Sequence, residues 1–186
     1  GKAHKIPSAI SALIHLLANC TDKIEPFVSL ADELQTTQYY LDIMKLRYGD
    51  RFDVTIQVPE HLLECTVPKL VLQPLVENAV FHGLYNITSQ GMLEIEASVN
   101  RNGDLLLSVL DDGNGIPADK MATILTDAGD AHSTGLRNTH SRIRLYFGEQ
   151  YGLHIESIQG IGTRVEVVLP LRHKDSIQKA NKEELS

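Results

Sequence analysis

Apolar residues recur at helical spacing in the N-terminal part of the chain. Residues 8–19 place isoleucine and leucine on one side of a short helix, and residues 28–48 predict a second helix that ends at Gly49. In the second helix, spacings of four and three residues alternate along the seam Leu30, Leu34, Thr37, Leu41, Met44 and Tyr48. A seam this narrow is suited to pairing with another helix. The alternative is that the helix packs on its own domain.

The rest of the chain mixes strand and helix patterns. Alternation of apolar and polar residues predicts strands over residues 51–58, 91–100, 104–111, 152–158 and 163–170. Helical spacing predicts helices over residues 68–83, 117–132 and 136–147, with a mobile polar lid over 127–133. Asn102-Gly103 is a hairpin signal, and hairpins imply antiparallel pairing. We therefore expect an α+β sandwich in which a mixed β-sheet carries helices on one face.

Two prolines bear on where the helix over residues 68–83 begins. Pro68 fits a helix start, with Thr66 as its possible cap. Pro74 lies inside the predicted helix, where it removes a hydrogen-bond donor. It therefore either kinks the helix or marks its true first turn.

Charge and composition narrow the classes of partner. The 186 residues suffice for one domain, or for one domain with a helical appendage, and carry a formal net charge of −7 at pH 7. This charge argues against broad binding to nucleic acid or to anionic membranes. No apolar run reaches membrane-spanning length and no signal peptide is visible. Because residue 1 is Gly rather than Met, we expect the sequence to be a segment of a longer chain.

Polar residues interrupt the apolar stripe of residues 72–79. Glu77, Asn78 and His82 are the interrupting residues, and Asn78 and His82 share one helix face because they are four apart. A Glu-Asn pair beside a core stripe is costly unless it binds something, since buried polar groups need partners. The alternative is an amphipathic helix whose polar face meets water.

Three glycine-containing segments follow this helix. The first, Asp111-Asp112-Gly113-Asn114-Gly115-Ile116, comes directly after a predicted strand. The second, residues 133–136, opens a helix, where free N–H groups and the helix dipole suit a phosphate. The third, Gly160-Ile161-Gly162-Thr163, leads into the last strand. Taken singly, each has an ordinary interpretation as a turn, a helix cap or a hairpin.

Together these segments form the ordered array ENAxxHG, DxGxG, GLRN and GxGT. This array resembles the ATP-binding domain of sensor histidine kinases, most closely the LytS/YesM-type subgroup, over about residues 30–171. These domains share a superfamily with gyrase, Hsp90 and MutL. The resemblance implies a Bergerat-type two-layer α+β sandwich, with a mixed β-sheet that carries helices on one face and N-terminal helices before it.

The resemblance also implies roles for individual residues. Glu77 would be the catalytic, polarising base, and Asn78 would hold Mg²⁺ through its side-chain oxygen, as a hard cation requires. Asp111 would accept a hydrogen bond from the adenine amino group, with Thr163 in support. The remaining residues implied to contact ATP are His82, Gly113, Gly115, Ile116, Thr134, Gly135 and Leu136.

Three departures from the family pattern stand out. The position three residues after Asn78, often Lys in the family, is Phe81, so a phosphate contact of the family is missing there. The second glycine box begins with Ser133 where the family often has Gly. The phosphoacceptor box of the subgroup, a His followed by Phe, does not occur among these 186 residues.

The function implied is the ATP-binding catalytic part of a histidine kinase, which transfers the γ-phosphoryl of ATP to a histidine and onward to a response regulator. Residues 1–49 would be a remnant of dimerisation and phosphotransfer helices, 50–171 the ATP-binding domain and 172–186 a flexible tail. ATP and Mg²⁺ are the implied cofactors. We expect a homodimer through the N-terminal helices, no nucleic-acid partner, and a soluble cytoplasmic segment of a membrane-anchored sensor.

Two alternatives remain open from the sequence. The first is an ATPase or anti-sigma-type serine kinase of the same superfamily, which the missing phosphoacceptor box permits. The second is a degenerate nucleotide-binding or dimerisation module, which Phe81 and Ser133 motivate.

Overall fold

A five-stranded mixed sheet is the centre of the computed structural model, which describes residues 26–49, 51–84, 90–126 and 134–173. The strand order is β2-β4-β5-β7-β6, with β2 parallel to β4 and every other neighbour antiparallel. Its strands are β2 (Phe52–Gln57), β4 (Gly91–Val99), β5 (Leu105–Asp111), β6 (Gly152–Ile158) and β7 (Gly162–Leu169). A separate two-stranded sheet pairs β1 (Phe27–Ser29) with β3 (Thr66–Pro68).

The helices of the described residues cover one face of the large sheet. They are α1 (Leu30–Tyr48), α2 (Gln73–Asn78), the short α3 (Ala118–Met121) and α4 (Thr134–Phe147). After α2 the chain continues as a π-helix over Ala79–Leu84, and a 3₁₀ turn spans Glu60–Leu62. The expected α+β architecture with helices on one face is therefore confirmed. None of the helices in these ranges is long and apolar enough to cross a membrane.

Alternation along the strands determines which face of the sheet is covered. On β4, β5 and β7 the odd-numbered residues, such as Ile95, Leu107 and Val167, are almost fully buried, except Val99 at the end of β4. The even-numbered residues include Glu96, Arg164 and Glu166, and the Arg164 guanidinium lies 3.7 Å from both carboxylates. Because successive side chains point to opposite faces, one face joins the core and the other carries charge.

Helix α1 packs into the core of its own chain. Ser29 caps its first turn by accepting a hydrogen bond from the Asp32 N–H, and Gly49 ends it with a φ of 73°. Leu30, Leu41 and Met44, members of the predicted seam, belong to the same buried cluster as the sheet residues. Within the described residues, therefore, the seam packs on its own domain, which was the alternative interpretation of the sequence.

The prediction that a helix begins at Pro68 was wrong. Residues Thr66–Pro68 form β3, where Pro68 lies opposite Phe27. Helix α2 begins at Gln73 and has Pro74 in its first turn. A proline is tolerated there because the N–H that it lacks would have no partner inside the helix. The interpretation of Pro74 as the first turn is confirmed.

Other predicted elements were placed correctly but with different lengths. In the helix predicted over 117–132, the described residues 117–126 are helical over Ala118–Met121, and turns follow as far as residue 126. Arg172, predicted as the first residue of the flexible tail, is held against β3, because its carbonyl accepts a hydrogen bond from the Thr66 N–H at 2.7 Å. The predicted helix over 8–19, the lid over 127–133 and residues 174–186 lie outside the described residues.

Candidate functional site

The C-terminal end of α2 carries the polar pair that interrupts the apolar stripe. Asn78 is the last residue of the helix and is 9 % exposed, while Leu75 and Val76 are fully buried beside it. Glu77 accepts a hydrogen bond from the Gln73 side-chain amide at 2.9 Å, one helical turn earlier. The amphipathic alternative required this pair to face water, but the Asn78 amide is held at the boundary of the core.

The π-helix brings Gly83 against the first glycine loop. A Cβ on Gly83 would overlap the Asp111 carboxylate, and a Cβ on Gly113 would overlap the Gly83 carbonyl group. The Asn114 N–H donates a hydrogen bond to the Gly83 carbonyl at 3.0 Å. The ENAxxHG segment and the DxGxG loop are therefore in direct backbone contact, which only residues without a side chain allow.

Gly83 had no predicted role of its own in the sequence analysis. Its signal was present, because the residue closes the ENAxxHG segment, but the reason for a glycine there is a contact with Asp111, far along the chain. Gly83, Asp111 and Gly113 are hereafter called the glycine cradle.

Asp111 is the acid of the cradle, and its pKa is strongly shifted. It is 2 % exposed and accepts a hydrogen bond from the Gly113 N–H at 3.0 Å. Burial raises the pKa of Asp111 from 3.8 to about 7, and the nearby Asp112 charge also raises it. The hydrogen bonds from the Gly113 and Thr163 N–H groups lower the pKa and offset part of this rise. A buried carboxyl with few donors of its own is ready to accept a hydrogen bond from a ligand.

Ser157 holds the far side of the glycine loop and was not predicted. Its hydroxyl accepts a hydrogen bond from the Ile116 N–H at 2.7 Å and donates to the Gly162 carbonyl at 2.9 Å. The same oxygen lies 2.9 Å from the Thr163 hydroxyl. Because Ser157 faces Thr163 across the β6–β7 hairpin, strand register was the signal that could have found it.

Thr163 and Gly115 complete this edge of the sheet. Thr163 is 3 % exposed and lies directly opposite Asp111 in the β5–β7 register. Gly115 has a φ of +65°, and a Cβ there would overlap the Ile158 carbonyl. The first glycine loop thus lies between the cradle and the β6–β7 hairpin. Its contact with Ile158 is a second place where two backbone segments approach closely.

The N-terminus of α4 lies beside the first turn of α2. Thr134 begins the helix, Leu136 is 1 % exposed, and a Cβ on Gly135 would lie 3.4 Å from the Pro74 side chain. The first N–H groups of a helix have no partners within it and carry partial positive charge. This end of α4 therefore suits an anion.

Two predicted positions need separate mention. Phe81 is 38 % exposed and packs edge-on against Tyr48 of α1, with ring centroids 6.4 Å apart. The backbone of His82 lies in the π-helix, but its side chain, like Ser133, lies outside what the structure describes. One edge of the sheet brings together Asp111, Gly113, Gly115, Ile116 and Thr163. Asn78 ends α2, the helix whose first turn lies beside the start of α4.

The residues present fit an adenine nucleotide with a hard cation. Asp111 offers a buried acceptor of the kind that an exocyclic amine requires. Asn78 offers an amide oxygen, a ligand type that Mg²⁺ accepts. The start of α4 offers unpaired N–H groups for phosphate.

Comparison with known proteins gives a consistent family. Residues 66–173 match the family model described as histidine kinase-, DNA gyrase B- and HSP90-like ATPase, and residues 1–52 match the histidine kinase model. The sensor histidine kinase YesM of Bacillus subtilis is 32 % identical over 170 residues, and the sensor protein LytS of Oceanobacillus iheyensis is 33 % identical over 162.

These matches cover most of this chain but a small part of the relatives. The alignments span 91 % and 84 % of the chain, but only 28 % of YesM and 27 % of LytS. The chain therefore corresponds to about a quarter of these relatives.

Solved structures agree on the fold. The histidine kinase domain of the Erythrobacter litoralis blue-light activated kinase superposes with a TM-score of 0.56 at 21 % identity, covering 90 % of this chain and 75 % of that one. The catalytic domain of the histidine kinase ThkA gives 0.58 at 20 % identity, covering 80 % of this chain and 97 % of that one.

The raised pKa of Asp111 predicts how stability depends on pH. The folded state holds the proton of the Asp111 carboxyl more tightly than the unfolded chain does. The contribution of this proton to the free energy of unfolding is therefore complete below about pH 4 and is lost as pH rises through about 7. Replacing Asp111 by Asn should flatten this part of the curve and raise the free energy of unfolding above pH 7. Urea unfolding across this range measures it. Asp53→Asn, an exposed charge-matched control, should keep the original slope; an unchanged slope in Asp111→Asn would contradict the assignment.

The cradle predicts the effect of one added methyl group. Gly83→Ala should displace the Asp111 carboxylate and weaken adenine-nucleotide binding by roughly ten- to hundredfold, equivalent to about 1–3 kcal/mol. Calorimetric titration of the folded variant measures this change. Gly103→Ala is the matched control, because a Cβ on Gly103 at the β4–β5 turn meets no atom within 4 Å. Equal affinity of Gly83→Ala and the unmodified chain would remove the cradle from the site.

Proposed function

The chain belongs to the family of histidine kinase-, DNA gyrase B- and HSP90-like ATPases, and on this basis we propose that it is the ATP-binding catalytic part of a sensor histidine kinase. The observation that carries the proposal is the glycine cradle. It joins the end of the ENAxxHG segment to the Asp111 carboxylate, so that a base acceptor and the Asn78 amide belong to one continuous structure.

The proposal gives each end of the site a part in binding ATP. Asp111 accepts a hydrogen bond from the adenine amino group, with Thr163 and Ser157 holding the strand edge around it. The cradle and Gly115 let the base approach the backbone closely. Thr134, Gly135 and Leu136 meet the phosphates at the start of α4, where the helix dipole favours negative charge.

Asn78 is the residue that we propose as a Mg²⁺ ligand. It is the last residue of α2, whose first turn lies beside the start of α4 and whose π-helical continuation carries Gly83 of the cradle. Its side-chain oxygen is of a type that hard cations prefer. When bound, Mg²⁺ neutralises phosphate charge during phosphoryl transfer. Glu77, the neighbouring carboxylate oriented by Gln73, is the proposed polarising base.

The activity of the whole protein follows from the family and is part of the proposal. Its γ-phosphoryl acceptor would be a histidine, and a response regulator would receive the group next. Residues 1–49 would contribute dimerisation and phosphotransfer helices, residues 50–171 the ATP-binding domain and 172–186 a tail. A homodimer, a cytoplasmic location and a membrane anchor elsewhere in the protein complete the proposal.

The match of residues 1–52 to the histidine kinase model favours this function over the two alternatives. A plain ATPase or an anti-sigma-type serine kinase would not require that segment. A degenerate module would not require a buried acceptor in the cradle, because burying a carboxyl is costly and here is opposed by few donors of the protein's own.

Nucleotide titration with and without metal tests the proposal. The unmodified chain should bind ATP, and more tightly with Mg²⁺. Asp111→Asn should weaken binding roughly ten- to hundredfold under both conditions, because it leaves one acceptor oxygen, which the Gly113 N–H uses, and sets an NH₂ donor against the adenine amine. Asn78→Ala should remove mainly the improvement that Mg²⁺ brings. Isothermal calorimetry measures all three proteins with and without Mg²⁺, six titrations in all.

Asn102→Ala is the control for these titrations, since Asn102 is exposed at the β4–β5 turn. It should bind ATP as the unmodified chain does. If Asn78→Ala lost equal affinity with and without metal, Asn78 would not be a ligand. If the unmodified chain bound no ATP, the proposed function would be wrong.

The missing phosphoacceptor box predicts that this chain does not phosphorylate itself. No histidine among its 186 residues is followed by Phe, and phosphoryl transfer requires in-line placement of acceptor and γ-phosphate. Incubation with radiolabelled ATP should leave the chain unlabelled. A longer chain that carries an upstream His-Phe box, added in trans, should acquire the label.

One outcome would contradict this prediction directly. An acid-labile label on the 186-residue chain that disappears on replacing His4 or His15 would make that residue the acceptor. The two are the histidines of the N-terminal region that precedes β1.

A further inference from the structure

A buried carboxylate on α1 reaches the turn that precedes α2. Glu33 is 2 % exposed, and its two oxygens accept hydrogen bonds from the backbone N–H groups of Leu70 at 2.9 Å and Leu72 at 3.0 Å. Burial raises the pKa of Glu33, while these N–H groups, that of Val71 and the charge of Arg142 lower it. A buried acid that meets successive backbone donors is a fixed structural contact rather than a surface charge.

The turn that Glu33 holds is unusual in two ways. Leu70 has a φ of 58°, the only positive value among the non-glycine residues that the structure describes. This conformation is strained for a residue with a Cβ and persists only when its surroundings stabilise it. Leu72 is the N-cap of α2 but has no side-chain capping bond of its own. Glu33 therefore performs, from another helix, the capping function that α2 lacks locally.

A second charged side chain holds the same turn from α4. The Arg142 guanidinium donates a hydrogen bond from Nη2 to the Leu70 carbonyl at 2.9 Å. Its buried Nε has no hydrogen-bond partner among the described residues. The N–H and the C=O of Leu70 are thus held by opposite charges from two helices, α1 and α4. Both of the helices that we place at the phosphates, α2 and α4, meet at this turn.

We propose that Glu33 is a positioning residue, which, together with Arg142, orients α2 and so places Asn78 relative to the start of α4. This role rests on the proposed function, since it concerns the metal and phosphate end of the same site. Helix α1 lies within the segment that matches the histidine kinase model. A displacement of α1 would therefore pull on the start of α2 through Glu33.

The two ends of the nucleotide make this role measurable. Asp111 and Thr163 belong to the sheet, whereas the Glu33 carboxylate bonds to the turn before α2, the helix that ends at Asn78. Glu33→Gln keeps the size of the side chain but turns one acceptor into a donor that faces an N–H group. It should weaken Mg²⁺-ATP binding by about tenfold, as loss of a ligand's supporting contact does, and leave adenosine binding unchanged.

A variant with a comparable loss of stability provides the control. Leu41→Ala removes core contacts of the same helix α1 without touching the turn, so it should lower stability and leave both affinities alone. Leu70→Gly removes the backbone strain, because glycine adopts a positive φ freely. Combined with Glu33→Gln, it should recover most of the lost Mg²⁺-ATP affinity.

Calorimetry with Mg²⁺-ATP and adenosine, and hydrogen exchange of the amides of residues 70–72, measure these effects. Faster exchange in Glu33→Gln together with a selective loss of Mg²⁺-ATP affinity is the expected result. Equal losses for both ligands, no loss for either, or the same selective loss in Leu41→Ala would overturn the role of Glu33. Failure of the unmodified chain to bind Mg²⁺-ATP would instead overturn the proposed function.

Discussion

Backbone contact between the end of the π-helix and the first glycine loop is the constraint on which the candidate site depends. Gly83 and Gly113 approach so closely that neither position has room for a Cβ, and the Asp111 carboxyl is enclosed between them. The desolvation that raises the pKa of Asp111 is a result of this packing. The segment that carries Gly83 is a π-helix, a geometry that is frequent at functional sites.

Local patterns were sufficient for the sheet. The alternation of apolar residues and the Asn102-Gly103 turn predicted β4 and β5 within a residue or two, because one face of each strand is buried. The start of α2 was misplaced because proline fits a strand edge as well as a first helical turn, and only the pairing of Pro68 with Phe27 decides between them. Helix α1 illustrates the same limit. Its apolar seam predicts that the helix packs against something, but it does not specify whether the partner is another helix or the helix's own domain.

The site was predictable in its motif residues but not in the residues that hold them. Asp111, Asn78 and Thr163 lie in recognisable segments, whereas Ser157 and Glu33 have no motif around them. The bond from Ile116 to Ser157 spans 41 residues and those from Leu70 and Leu72 to Glu33 span 37 or more, so no local pattern contains them. Only the Ser157 contacts within the β6–β7 hairpin are local. The family resemblance predicted which ligand the site binds. The pKa shifts of Asp111 and Glu33 could not be predicted in this way, because they are caused by burial, which depends on the folded structure.

The single parallel pair in the sheet has a consequence for folding. Strands β4 and β5, and strands β6 and β7, form hairpins from neighbouring segments, but β2 can join β4 only after the long crossover that contains β3 and α2. Closing such a connection costs entropy before its contacts can form. The hairpins, with Asp111 and Thr163, should therefore assemble early, and the crossover with Asn78 late. The adenine half of the site would then form before the metal half, which forms only when β2 pairs with β4.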